Sequence, residues 1–155
     1  MKLIIGIGNP DVKYKNTRHN AGLMVVDELI SNGRIKDIVV KRSDKFMNHS
    51  GSFVLAQYTK YHIQYSDLFV VHDDLDIPLG AFKIQFGKGP KVHNGLNDIY
   101  EKLGTSEFWH VRVGVDNRDP ENRAKGDEYV LQDFTEEEKL VLIGVIKQIC
   151  NQLEA

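Results

Sequence analysis

Asn9, His19, Asn48, Asp73, His93 and Asn94 are polar side chains of the kinds that move protons or bind oxyanions, and each lies just after an apolar run or just before an apolar-periodic one. Such positions are the loop-facing ends of strands and helices, and α/β sheets form their ligand sites beyond the carboxyl ends of the strands. His19 is the candidate general base, because an ordinary imidazole titrates near neutrality and takes a proton from water at working pH. Asp73 closes a run rich in Val and Phe. A carboxylate there, bonded to one imidazole nitrogen, fixes the tautomer, turns the other nitrogen toward water and stabilises the imidazolium as it forms. The three asparagines each offer an amide donor and a carbonyl acceptor without charge, which suits a peptide backbone and a developing oxyanion. Each also has an ordinary reading, since Asn caps helices and tolerates left-handed turns. Asn94 in particular reads as the N-cap of the helix that follows it.

Competing chemistries fit less well. Asp73, Asp74 and Asp76 in HDDLD are acidic enough for a hard cation, but no further acidic cluster has the spacing to complete its shell, so no metal is expected. GIGNPD has two glycines of a dinucleotide fingerprint but puts Pro10 and Asp11 where the helix should begin. Ser50 lacks the glycine two positions earlier that a nucleophile elbow requires. No cofactor is expected.

The elements that must hold these groups are legible from periodicity. LIIGIG reads as a buried strand ending in a glycine turn. AGLMVVDELISNG places Leu23, Val26, Leu29 and Ile30 at helical spacing and stops at Gly33. DIVVK is a short strand, SGSFVLAQYTKYH a helix with Phe53, Ala56 and Tyr61 on one side, and DLFVVHDD a strand that ends in charge. AFKIQFG alternates Phe82, Ile84 and Phe86 inward with Lys83 and Gln85 outward. NGLNDIYEKLG is a helix closed by Gly104, HVRVGV a strand, and Thr135 with Glu138 a capping box that opens a last helix through about Leu153. Strands alternating with helices predict an α/β sandwich, mostly parallel, with helices on both faces.

A chain of 155 residues, 41% hydrophobic, fits one domain spanning 1–155. A single cysteine, Cys150, allows no intrachain disulfide. The opening MKLIIGIGNP is too short in apolar residues for a signal-peptide core, and no run reaches the ~18 apolar residues of a membrane span. A soluble, cytoplasmic monomer with no dedicated protein partner is the expectation. The net charge of −2 is uneven: residues 127–155 hold seven acids and two bases, which leaves the rest of the chain a net of +3. Residues 83–91, KIQFGKGPK, hold three lysines and no acid, as expected for a loop facing phosphates and equally for a solvated loop.

Taken together, GIGNP, TRHNAG, KFMNHSG, HDDLDIPLG and HNGLNDI, in this order and with these spacings, resemble the bacterial-type peptidyl-tRNA hydrolase family from Lys2 to about Leu131. The resemblance implies a three-layer α/β/α sandwich with a mixed, mostly parallel twisted sheet, and hydrolysis of the ester between peptide and tRNA, which returns free tRNA to translation. It implies His19 and Asp73 as base and orienter, Asn94 holding the attacking water with His93 beside it, and Asn9, Tyr14, Met47 and Asn48 lining the peptide site. It also implies a pair of cations for the terminal tRNA phosphate. Arg112 matches one, Gln85 occupies the other position, and Lys83 and Lys88 are the cations that would compensate. The chain departs from the family in three further places. GKGPKV replaces a glycine-rich loop before HNG, only 12 residues separate Gly33 from Phe46 where a longer insert is usual, and the usual basic tail is absent. Two other readings stay open: a catalytically weak RNA- or protein-binding module of similar fold, and a small ester or peptide hydrolase on the same scaffold.

Overall fold

In a computed structural model that describes residues 1–155, five strands form one sheet in the order β2-β1-β3-β5-β4. They are β1 (Lys2–Gly6), β2 (Ile38–Arg42), β3 (Leu68–Pro78), β4 (Phe82–Phe86) and β5 (Trp109–Asp116). All neighbours run parallel except β4, which pairs antiparallel with β5 at the edge. Strands covered on both faces read as unbroken apolar runs, and β1 and β3 do so, with Leu3, Ile4, Ile5, Leu68, Val70 and Val71 all fully buried.

The two-residue alternation of a strand divides these side chains between two cores. Ile4, Phe69, Val71, Val111, Val113 and Val115 face α1 (Ala21–Ser31) and α5 (Glu136–Glu154). Leu3, Ile5, Leu68 and Val70 face α2 (Ser50–Tyr61) and α3 (Asn94–Leu103), which contribute Val54, Leu96 and Ile99. The α/β/α layering and the mostly parallel, mixed sheet agree with the sequence reading. A one-turn helix, α4 (Gly126–Tyr129), and four single 3-10 turns had no sequence signal. No helix is long and apolar enough to cross a membrane.

Several inward faces differ from the periodic reading. In α1 the buried set is Leu23, Val25, Val26 and Leu29, while Ile30 is half exposed at the helix end. In α2 Val54 is the buried residue and Ala56 is exposed, because that helix also packs against α3 and rotates accordingly. In β4 Phe86 is largely exposed, stacking edge-on against Trp109, and Gln85 is half buried because its amide meets Arg112.

Two packing features position the loops. A Cβ at Gly22 would lie 2.2 Å from the Val71 carbonyl oxygen, so only glycine lets the first turn of α1 press onto β3. The predicted capping box at Thr135 forms, and its Glu138 does more than cap. Glu138 Oε1 accepts from the Thr135 N–H at 2.8 Å and from Arg18 Nη2 at 2.7 Å, and Oε2 accepts from Asn117 Nδ2 at 3.0 Å. Arg18 and Glu138 are both buried, so the ion pair joins the residue before His19 to the start of α5.

Removing one partner of a buried pair leaves an uncompensated charge, at a cost of roughly 3–5 kcal/mol. Glu138→Ala should therefore lower the unfolding free energy in urea by about 3 kcal/mol. A loss below about 1 kcal/mol, the range of exposed pairs, would show that Arg18 is solvated rather than held.

Candidate active site

Parallel pairing of β1 with β3 brings their carboxyl ends to one edge of the sheet, and the polar segments collect there. Asn9 lies just past β1, and Asp73 lies in the carboxyl half of β3. His19 sits in the turn Arg18–Asn20 that leads into α1, Asn48 in the turn Met47–His49 that leads into α2, and His93 with Asn94 at the start of α3.

His19 Nδ1 lies 2.8 Å from Asp73 Oδ2, and His93 Nε2 lies 2.8 Å from Asp73 Oδ1. One buried carboxylate therefore joins two imidazoles. The state of His93 follows from its other nitrogen: Nδ1 accepts the Leu96 N–H at 3.1 Å, so Nε2 carries the proton and donates it to Asp73. In the same way His19 donates from Nδ1, which leaves Nε2 as its free lone pair. Burial alone would raise the Asp73 carboxyl, but the two imidazoles and their hydrogen bonds outweigh it and hold Asp73 well below the usual carboxylate range. Burial alone would lower His19, and the Asp73 charge and hydrogen bond overcome it, so His19 sits above its ordinary value. His93, which the resemblance puts beside the attacking water, here also holds the orienting carboxylate. It is also the N-cap of α3, which makes Asn94 the first helical residue rather than the cap.

The His19 turn is held from behind. The His19 N–H donates to the Val130 carbonyl at 2.8 Å and the Arg18 N–H to that of Gln132 at 3.1 Å. Arg18 Nη1 donates to the Tyr129 carbonyl at 3.2 Å, and its guanidinium lies 3.8 Å from the Tyr129 ring centroid. Asn20 extends the support to Asn9, accepting the Asn9 N–H at 2.7 Å and donating from Nδ2 to the Asn9 carbonyl at 2.9 Å. Asn9 Oδ1 in turn accepts the Met47 N–H at 2.8 Å. The Asn9 amide is thereby oriented, with its Nδ2 donor left for a ligand. Sequence reasoning missed Arg18 and Asn20; only their place inside TRHNAG, beside the candidate base, pointed to them.

Asn48 and Asn94 are exposed and bind no protein group. Tyr14 is half buried in the turn after Asn9, and Met47 is buried against the start of α3, where a Cβ on Gly95 would lie 2.5 Å from its sulfur. Beneath the carboxylate lies a layer of neutral groups. Burial holds His72 well below its ordinary value and lowers His110 to about 4, and burial pushes Tyr100 up to about 12. The Tyr100 hydroxyl lies 2.8 Å from His110 Nε2, and the His72 ring packs edge-on against both His93 and His110. In the substituted GKGPKV loop that leads to His93, the Lys91 N–H anchors the chain on Asp76 at 2.8 Å.

The three expected phosphate ligands differ in exposure, although Lys83 and Arg112 are cross-strand partners. Lys83 and Lys88 are exposed on and after β4. Arg112 is 4% exposed, its Nε donating to Asp74 Oδ2 and its Nη1 to Gln85 Oε1, both at 2.7 Å. Its charge is matched inside the protein, and Gln85 holds it there. His19, Asp73 and His93 bring three metal-ligating atoms within 4.8 Å of one another. The two imidazole nitrogens facing the carboxylate carry protons, however, and the Leu96 N–H fixes that tautomer for His93, so the hydrogen-bonded triad and a metal centre exclude each other. A cavity of about 560 Å³ lies away from this chemistry, lined by the end of α1, by β2 and by the segment between them.

A model of the family described as peptidyl-tRNA hydrolase matches residues 3–155, which carries the resemblance through α5. The peptidyl-tRNA hydrolase of a Sulfurihydrogenibium species is 36% identical, with 94% of this chain and 85% of that protein aligned. That of Pseudothermotoga lettingae is 38% identical over 94% and 84%. The crystal structure of peptidyl-tRNA hydrolase from Acinetobacter baumannii superposes with a TM-score of 0.85 at 27% identity, over 99% of this chain and 87% of that one.

The opposed effects on His19 give a titration with a definite sign. A histidine raised on folding stabilises the protein below its ordinary value of about 6.5, and that contribution disappears as pH rises through the folded value. A carboxylate lowered on folding stabilises above its ordinary value, and that contribution is lost as pH falls through the folded one. By NMR, the His19 imidazole should titrate above 6.5 in the native chain and below 6.5 in Asp73→Asn, where burial acts without the anion. An unchanged midpoint in the variant would separate His19 from Asp73.

Proposed function

The chain belongs to the peptidyl-tRNA hydrolase family, and from that premise we propose how its residues carry out the reaction, the hydrolysis of peptidyl-tRNA. The observation that carries the reading is the single carboxylate of Asp73, which holds His19 with Nδ1 as donor and Nε2 free. His19 Nε2 takes a proton from water as the water oxygen bonds to the ester carbonyl carbon. The tetrahedral intermediate then collapses, the bond to the ribose oxygen breaks, and the His19 imidazolium returns its proton to that oxygen. The products are a peptide with a free carboxylate and a tRNA with a free ribose hydroxyl. A ribose alkoxide leaves far more easily than an amine, so activated water is sufficient without a covalent nucleophile, a metal or a cofactor.

Asn94, exposed one residue after His93, holds the attacking water. Asn9, whose Oδ1 is taken by Met47, offers its Nδ2 to the peptide or the developing oxyanion. Asn48 and Tyr14 line the peptide side, and Met47 supports them from within the fold. Lys83, exposed on β4 across from Arg112, and Lys88, exposed in the loop that returns from β4 to His93, contact the tRNA backbone, while Arg112 contributes through Asp74. The groups named lie in one domain over 1–155, which is the proposed catalytic unit, acting in the cytoplasm.

General base catalysis is worth about 10²–10⁴-fold. His19→Ala should therefore lower kcat on peptidyl-tRNA at least about 100-fold, with the thermal midpoint nearly unchanged, and a chelator should leave the native rate intact. Turnover in the variant close to native would remove His19 from the mechanism, and loss of activity in chelator would bring a metal into it. For tRNA contact, the inactive His19→Ala chain should bind peptidyl-tRNA with a salt slope that falls by up to about 0.9 for each of Lys83→Ala and Lys88→Ala. In the same background Arg112→Met should leave the slope in place and lower the unfolding midpoint; a flattened slope instead would return Arg112 to the phosphate.

A further inference from the structure

The outer face of α5 carries Leu140, Val141 and Ile143 at 74%, 46% and 52% exposure, a concentration of large apolar groups in water on a single helix. Helical spacing brings Glu137, Leu140, Gly144 and Lys147 onto one stripe. That stripe is opposite Leu142, Val145, Ile149 and Leu153, which are buried in the core. Nothing lies within 4 Å of the position a Cβ would take on Gly144, so a flat, open patch of backbone adjoins the projecting Leu140. Glu137 and Lys147 make no ion pair anywhere in the chain.

We infer that this face pairs with the same face of a second copy, antiparallel about a two-fold axis at the level of Leu142. In that arrangement each Leu140 meets the open backbone at Gly144 of the other copy, and each Glu137 faces Lys147 of the other copy. Val141 and Ile143 cover the flanks. The occupant is named by this self-complementarity. A two-fold interface must match a surface to itself, with each feature facing its counterpart across the axis. Here both the projection and gap, and the anion and cation, stand at equal distances on either side of one point of the helix. A contact of a single helix pair belongs to the small interfaces, below about 1,200 Å², that associate weakly and reversibly. No residue of the active site lies on the stripe, so the association is separate from turnover.

Sedimentation equilibrium of the full chain over about 5 to 500 μM tests this, a range that brackets weak association. The weight-average mass should rise from the 17.7 kDa of one chain toward twice that value. Leu140→Asp, at an exposed position, should stay monomeric throughout with native circular dichroism. Glu137→Lys and Lys147→Glu should each raise the dissociation constant at least about tenfold by facing like charges. The two together should return it to within about threefold of native. A native chain that stays monomeric across the range overturns the pairing and leaves this face to a different protein. Undiminished association of Leu140→Asp places the contact elsewhere, and a double variant no tighter than the singles overturns the antiparallel register.

Discussion

A carboxylate buried between two imidazoles organises this protein. Asp73 is almost fully removed from water, and an unpaired anion in such a place costs several kcal/mol. Two hydrogen bonds of 2.8 Å, from segments 54 residues before it and 20 residues after it, offset that cost. The requirement works in both directions. The anion survives burial only if both histidines reach it, and the anion in turn fixes the tautomer of His19. Base strength, proton position and loop geometry at the site therefore share one cause.

The scaffold keeps that arrangement from relaxing. The helix that begins at Asn94 supplies the Leu96 N–H, a backbone donor that would otherwise be unsatisfied at a helix N-terminus. It settles the tautomer of His93 without any further side chain. On the opposite face Gly22 brings α1 onto β3, which sets the distance of the His19 turn from Asp73. The buried Arg18 and Glu138 pair then ties that turn to α5, more than a hundred residues away in sequence. A residue with no contact to substrate thus bears on catalysis through the position of its neighbour, as expected where small displacements of a base matter.

Charge is apportioned in the same way. Arg112 matches a family cation by position, but Asp74 beside Asp73 needs a partner once buried, and Arg112 supplies it. Burial pushes Asp74 up, the guanidinium pulls it back, and Gln85 fills the place of a second cation as an acceptor rather than a repelling neighbour. The exposed lysines of β4 and the loop after it then carry positive charge with no partner inside the protein, while the acidic surplus lies in residues 127–155, partly on α5, across the sheet from α2 and α3.

The sequence by itself determined the layering, the strand and helix order and the nature of the chemistry. Apolar period, glycine stops and the Thr135 capping box are local signals, and histidine, aspartate and asparagine at element ends carry their reactivity with them. Residue type made His19 and Asp73 candidates for a base and its orienter, and the family resemblance paired them. Tertiary structure alone decided that His93 bonds the carboxylate and that it, not Asn94, caps α3. It also decided that Arg112 is spent on Asp74, that Arg18 and Asn20 brace the base, and that Ile30 and Ala56 face outward. Each of these depends on which groups become neighbours when a buried charge must be compensated, and that is a property of distance in space which no spacing along the chain encodes.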